Sequence, residues 1–109
     1  MSKTTFSENL QRLPRVDDVE RIELSDPQGM LAGTIENRPG QSSSLAVYSY
    51  LLRKYGEINA GAAGEGLELY AEHTEDAKEN PGKHPNIDRL LTLILTGSFY
   101  KGRIIKRPV

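Results

Sequence analysis

Residues 87–95, with the sequence IDRLLTLIL, contain the longest apolar run of the chain. Apolar side chains cover most of the circumference of a helix over this stretch, which is typical of a buried helix rather than a surface one. Proline is favoured in the first turn, so we expect the helix to begin near Pro85 or Asn86 and to end at Gly97. We therefore predict that the other helices and a sheet pack against this helix.

The segments on either side of this helix predict a turn and a strand. Before it, Asn80-Pro81-Gly82 places proline and glycine where a type II turn needs them. After it, residues 99–106 are rich in aromatic and β-branched side chains and predict a strand. Within that strand, Gly102 marks a bulge or a close backbone approach.

The first third of the chain predicts a short helix and a β-hairpin. Ser7 begins a helical pattern that Pro14 ends. Residues 21–25 alternate polar with apolar side chains, which is the period of a half-buried strand. Asp26-Pro27-Gln28-Gly29 has the residues of a type I turn, and residues 30–36 form the returning strand.

Two further helices are predicted between the hairpin and the proline turn. One is expected to take its N-cap from the serines at 42–44 and to end at Gly56. The other is capped by Asn59 and carries one apolar stripe as far as Thr74. Three glycines in its first turns lower its helix propensity and permit close packing against a neighbour.

Together these elements predict an α+β fold. A β-hairpin and a C-terminal strand form a small antiparallel sheet, with three to four helices packed on one face. The alternative is a mixed sheet, in which the C-terminal strand pairs parallel to a hairpin strand. At 109 residues the chain has the common size of one domain, so residues 1–109 are expected to form a single domain.

Composition excludes several classes of protein. The chain has no cysteine, so disulfides, zinc–thiolate sites and thiol nucleophiles are excluded. No dinucleotide or P-loop fingerprint occurs, and no cofactor is expected. The longest apolar run is too short to cross a membrane, and the N-terminus lacks the apolar stretch of a secretory signal. These features predict a cytoplasmic protein without membrane contact.

Charge is unevenly distributed, although the formal net charge is only −1. An acidic face is predicted for the segment 65–79, and the last ten residues carry four cations and no acid. Both regions have an ordinary explanation as solvated surfaces. The functional interpretation is a non-catalytic interaction module that self-associates or binds a protein partner through these complementary charges. If the protein forms a dimer in this way, salt is expected to weaken it.

The densest group of metal-binding or proton-transferring side chains lies between residues 73 and 88. His73, Glu75, His84 and Asp88 are the candidate metal ligands, in a metal- or phosphate-ligand-binding enzyme. The two histidines are eleven residues apart, so they meet only if the proline turn folds His84 back. The alternative is a capped helix end and a polar loop, in which Asp88 favours the positive end of its helix.

A candidate anion site lies at the start of the helix that follows the hairpin. Ser42, Ser43 and Ser44 combine hydroxyls with the unpaired N–H groups of a helix N-terminus, and Arg38 adds a cation nearby. A solvated serine-rich linker is the alternative.

The C-terminal strand and one tyrosine are candidates for interaction. Phe99, Tyr100, Lys101 and Arg103 interleave aromatic with basic side chains, a pattern that suits stacking on RNA bases and contact with phosphates. The same pattern suits a sheet with one packed face and one charged face. The small net charge argues against nucleic acid as a partner. Tyr50 lies off the apolar stripe of its helix and is a candidate interface residue.

The segment from Glu72 to Asp88, EHTEDAKENPGKHPNID, resembles a family of short bacterial proteins with no assigned function. The similarity extends over most of the chain and is most distinctive from Asn80 to Asp88. It implies a bacterial origin and no catalytic role.

Overall fold

The structure, a computed structural model, describes residues 4–108. Within that range the chain forms five helices and three strands. The helices are α1 (Phe6–Arg12), α2 (Ser42–Tyr55), α3 (Ala60–Tyr70), α4 (Glu72–Glu79) and α5 (Pro85–Thr96). The strands are β1 (Val19–Ser25), β2 (Leu31–Glu36) and β3 (Lys101–Lys106). No helix in the described range is long and apolar enough to span a membrane.

The three strands form one antiparallel sheet in the order β2-β1-β3. Ile22 in the central strand pairs with Ile35 of β2 and Ile104 of β3, so one cross-strand row presents three isoleucines to the same face. The α+β class and the antiparallel arrangement are confirmed, and the C-terminal strand does not pair parallel to the hairpin.

The hairpin turn forms as its residues predict. The Asp26 carboxylate accepts the N–H groups of Gln28 and Met30, at 3.0 and 2.9 Å. The Gly29 N–H donates to the carbonyl of Asp26 at 2.9 Å, and Gly29 has a positive φ of 88°. Glycine adopts this backbone conformation without strain, which explains its place at the end of the turn.

The leucine-rich helix α5 is buried on one face only. Ile87, Leu90 and Leu93 lie in the core, but Leu95 is 87% exposed and Ile94 is 47% exposed. The prediction of a helix buried around most of its circumference is therefore wrong. Helices α3 and α4 pack against one side of α5, and the second apolar side faces solvent.

Two glycines allow elements to pack at very short distances. A methyl group on Gly66 of α3 would lie 2.8 Å from Leu90 Cδ1 and 2.9 Å from Leu51 Cδ1. A methyl group on Gly102 of β3 would overlap the side chain of Leu52 from α2. The close packing predicted for the glycines of α3 is confirmed at Gly66, whereas Gly64 meets no atom within 4 Å. At Gly102 the close neighbour is the side chain of Leu52, not a backbone. These contacts place α2 between the sheet and α3.

The expected third helix is broken into α3 and α4 at Ala71, which raises the helix count from the predicted three to four to five. Ala71 has φ 52° and ψ −118°, a conformation that is strained for alanine. The Thr74 hydroxyl donates to the carbonyl of Leu67 at 2.6 Å across the break. No glycine or proline marks this position, so local sequence does not predict the break.

The C-caps of α2 and α5 are Gly56 and Gly97, as predicted. The N-caps agree with the prediction at one position and differ at two. The Asn59 side chain accepts the Ala62 N–H at 2.9 Å and caps α3. The N-cap of α1 is Thr5, which forms a capping box with Glu8, rather than Ser7. The N-cap of α2 is Gln41, so the serines at 42–44 lie inside the first turn and do not cap it.

Each outer strand of the sheet has a local feature that hinders further pairing. A β-bulge interrupts β2 opposite Leu24, and the Glu36 N–H donates to the Gln41 side chain at 3.0 Å. Beside β3, Tyr100 and Ile58 exchange two backbone hydrogen bonds, of 2.8 and 2.9 Å. Bulges and covered edges hinder pairing with a strand of another molecule.

Candidate anion-binding cavity

A cavity of about 250 Å³ lies where the first turns of α2 and α5 meet α4 and the start of α1. Its polar lining includes Ser43, Ser44, His73, Lys83 and His84. The predicted anion site and part of the predicted metal site therefore border one space, although they are far apart in sequence.

The first turn of α2 presents hydrogen-bond donors to this cavity. Its N-cap, Gln41, makes no side-chain capping bond. Within residues 4–108, the N–H groups of Ser43 and Ser44 have no hydrogen-bond partner. The Tyr70 hydroxyl donates to Ser44 Oγ at 2.7 Å, and burial raises the pKa of Tyr70, so this donor stays protonated.

The first turn of α5 presents a second helix N-terminus. Its N-cap, His84, makes no side-chain capping bond, and Pro85 has no N–H group. In the described part of the chain the Asn86 N–H also has no partner. The Tyr48 hydroxyl donates to the Asn86 carbonyl at 2.5 Å, and burial raises the pKa of Tyr48 to about 12. The Asn86 backbone is thereby held against the core.

Asp76 positions two of the basic side chains at the cavity. Its Oδ2 lies 2.6 Å from His84 Nε2 and 2.9 Å from Lys83 Nζ. These hydrogen bonds, chiefly the one from His84, lower the pKa of Asp76 to about 2. The carboxylate is therefore ionised at neutral pH and fixes one nitrogen of His84, which leaves the other ring nitrogen for a ligand.

An aromatic wall completes the cavity. The ring of Phe6 stacks on Tyr70 with centroids 5.1 Å apart and meets His73 edge-on, also at 5.1 Å. The rings of His73 and His84 lie 5.6 Å apart. The proline turn therefore folds His84 back beside His73, as the metal-site hypothesis required.

The remaining two predicted metal ligands lie apart from the histidines. Glu75 is exposed and pairs with Lys78 at 3.5 Å. Asp88 accepts the Gly82 N–H at 2.9 Å, which holds the turn before α5. Across residues 4–108, no group of three His, Asp or Glu side chains has a geometry that could hold a metal ion.

Of the four residues predicted to bind an anion, two line the cavity and two do not. Ser43 and Ser44 line the cavity, whereas Ser42 is exposed and does not. Arg38 pairs with Glu36 at 2.7 Å and also lies outside the lining. Sequence reasoning missed Lys83, although it stands next to His84 in the segment that carries the family resemblance.

The candidate interaction residues lie elsewhere. The Tyr50 hydroxyl donates to Glu65 at 2.6 Å. Phe99 and Tyr100 are half-buried, whereas Lys101 and Arg103 are exposed. The Tyr100 ring packs against the core.

The fold and this cavity define a small α+β protein with a polar, cation-lined cavity at the junction of two helix N-termini. The chain belongs to the family described as an uncharacterized protein conserved in bacteria (DUF2322), whose model matches residues 6–104. This confirms the resemblance read from residues 72–88. No curated protein and no solved structure matches the chain.

Proposed function

We propose that this protein binds a small tetrahedral oxyanion, such as a phosphate group, in the cavity between α2 and α5. The supporting observation is that one cavity is lined by Ser43, Ser44 and Asn86, whose N–H groups have no partner in the described structure, and by Lys83 and His84. Unpaired N–H groups and the helix dipole both favour an anion at a helix N-terminus. Here two N-termini border the same space.

The charges around the cavity also favour an anion. Asp76 is the acidic side chain that contacts the basic ones, and its charge is shared between Lys83 and His84. Lys83 lines the cavity and its partner Asp76 does not, so the positive member of this ion pair is the one at the cavity. A bound phosphate accepts charge-assisted hydrogen bonds from these groups, which are stronger than neutral ones.

Calorimetric titration with inorganic phosphate tests this proposal. Lys83→Ala removes a cation from the lining, and Lys78→Ala removes one from α4 that does not line the cavity. We expect Lys83→Ala to weaken binding about five-fold or more, and Lys78→Ala to have little effect. Equal effects of the two variants, or no heat of binding in the wild type, would contradict the proposal.

Self-association is a second candidate function, favoured by unpaired charges of opposite sign. Among the described residues, Lys101 and Arg103 of β3 and Glu68 and Glu79 of the acidic segment make no salt bridge. A second copy of the chain offers each region its complement. Other charges of these regions are paired within the chain, such as Lys106 with Asp18.

Sedimentation velocity at increasing protein concentration tests self-association. We expect a dimer that high salt dissociates, because salt screens exposed charges. Arg103→Glu should abolish the dimer, whereas the same change at Arg12 in α1 should not. A wild-type protein that stays monomeric at low salt would rule out this function.

A further inference from the structure

The donors of the cavity lie directly beside a flat aromatic surface. The Tyr70 hydroxyl contacts Ser44 on the anion-binding side, and the Tyr70 ring stacks on Phe6 at an interplanar angle of 25°. Phe6 also meets the ring of His73 edge-on. Phe6 therefore contacts His73 of α4 directly and is linked to Ser44 of α2 through Tyr70, and all four residues line the same cavity.

Phe6 is held in this position by contacts outside the cavity. The Phe6 N–H donates to Glu72 Oε1 at 2.9 Å. One turn later, the buried Asn9 side chain donates to the carbonyl of Leu69 at 2.9 Å. Because α1 is fixed to α3 and α4 at two points, the half-buried Phe6 ring is held in place at the cavity lining.

We propose that the ligand is a phosphate monoester whose phosphate is attached to a single flat ring. This inference rests on the proposed function: the phosphate occupies the helix N-termini, and the ring packs against Phe6. Offset or edge-on contact between aromatic rings adds binding energy beyond the burial of area. The cavity, at about 250 Å³, is below the roughly 300–1,000 Å³ of sites for drug-sized ligands, so it suits one ring rather than a dinucleotide.

Comparison of phenyl phosphate with methyl phosphate tests this inference, because both carry the same phosphate group. We expect the wild type to bind phenyl phosphate about five-fold more tightly or better, measured by calorimetry. In Phe6→Leu, which keeps an apolar side chain but loses the flat ring, this ratio of affinities should fall towards one. Leu13→Ala, at a half-buried residue beside α1 that does not line the cavity, should preserve the ratio.

The outcomes separate this inference from the proposed function. Equal affinity for the two esters, or a preference for phenyl phosphate that persists in Phe6→Leu, would overturn the aromatic ligand but leave phosphate binding intact. Absence of binding by both esters and by inorganic phosphate would overturn the proposed function itself.

Discussion

The hydroxyl of Tyr50 lies 2.6 Å from a carboxylate oxygen of Glu65 and joins α2 to α3. Tyr55 and Lys54 donate to the other oxygen of the same carboxylate, each at 2.7 Å. Three donors from one helix therefore hold one acid of the next. These hydrogen bonds, first that of Lys54 and then those of the tyrosines, lower the pKa of Glu65 to about 2.

Removal of the Glu65 charge should destabilise the fold. We expect Glu65→Gln to lower the free energy of unfolding by about 1–2 kcal/mol at neutral pH, because charge-assisted hydrogen bonds are lost. The pKa of Glu65 is lower in the folded state, so its contribution is complete above pH 4.5 and is lost as the pH falls towards 2. The variant should therefore lose less stability than the wild type over that interval.

Urea unfolding at several pH values measures this effect. Glu68→Gln is the matched control, since Glu68 lies on the same helix, is exposed and makes no side-chain hydrogen bond in the described structure. If the free energy of unfolding depends on pH in the same way in the wild type and in Glu65→Gln, the lowered pKa of Glu65 does not stabilise the fold.

Two glycines of α3 should respond oppositely to the same substitution. Gly66→Ala places a methyl group against Leu90 and Leu51 and should destabilise the protein by about 1–3 kcal/mol. Gly64→Ala meets no atom within 4 Å and should stabilise it by about 0.5–1 kcal/mol, because alanine favours helix. Thermal unfolding of both variants checks the packing of α3 on α5. Stabilisation by Gly66→Ala would mean that the two helices lie further apart.

The break between α3 and α4 should be relieved by glycine. Ala71→Gly removes the strain of a positive φ and should stabilise the protein by about 1 kcal/mol. The same change at Ala46, inside α2, should cost about 1 kcal/mol through helix propensity. If Ala71→Gly is as destabilising as Ala46→Gly in thermal unfolding, a continuous helix through residues 60–79 is indicated instead.

Local sequence patterns predicted the turns and helix ends that depend on a few neighbouring residues. The turn at Asp26, the cap at Asn59 and the end of α5 at Gly97 each follow from one residue type in its preferred position. The break at Ala71 does not, because alanine rarely adopts a positive φ and no glycine or proline marks the position. The exposed side of α5 was missed because hydrophobic periodicity does not reveal which apolar side has a partner.

The candidate cavity was predictable only in parts. The sequence predicted an anion site that includes Ser43 and Ser44 and a metal site that includes His73 and His84, and all four residues line the cavity. Their meeting depends on the packing of α2 against α5 and on the turn before His84, which span more than forty residues of sequence. The sequence did not identify Phe6 as a cavity residue, because nothing near it in the sequence predicts that α1 packs beside α4.

Amide chemical shifts during titration with inorganic phosphate report binding at the two helix N-termini residue by residue. If the two helix N-termini bind the anion, the ¹⁵N–¹H resonances of Ser43, Ser44 and Asn86 should shift together and saturate with one affinity. Shifts confined to the basic strand around Lys101 and Arg103, or no saturable shift at these three amides, would contradict the account.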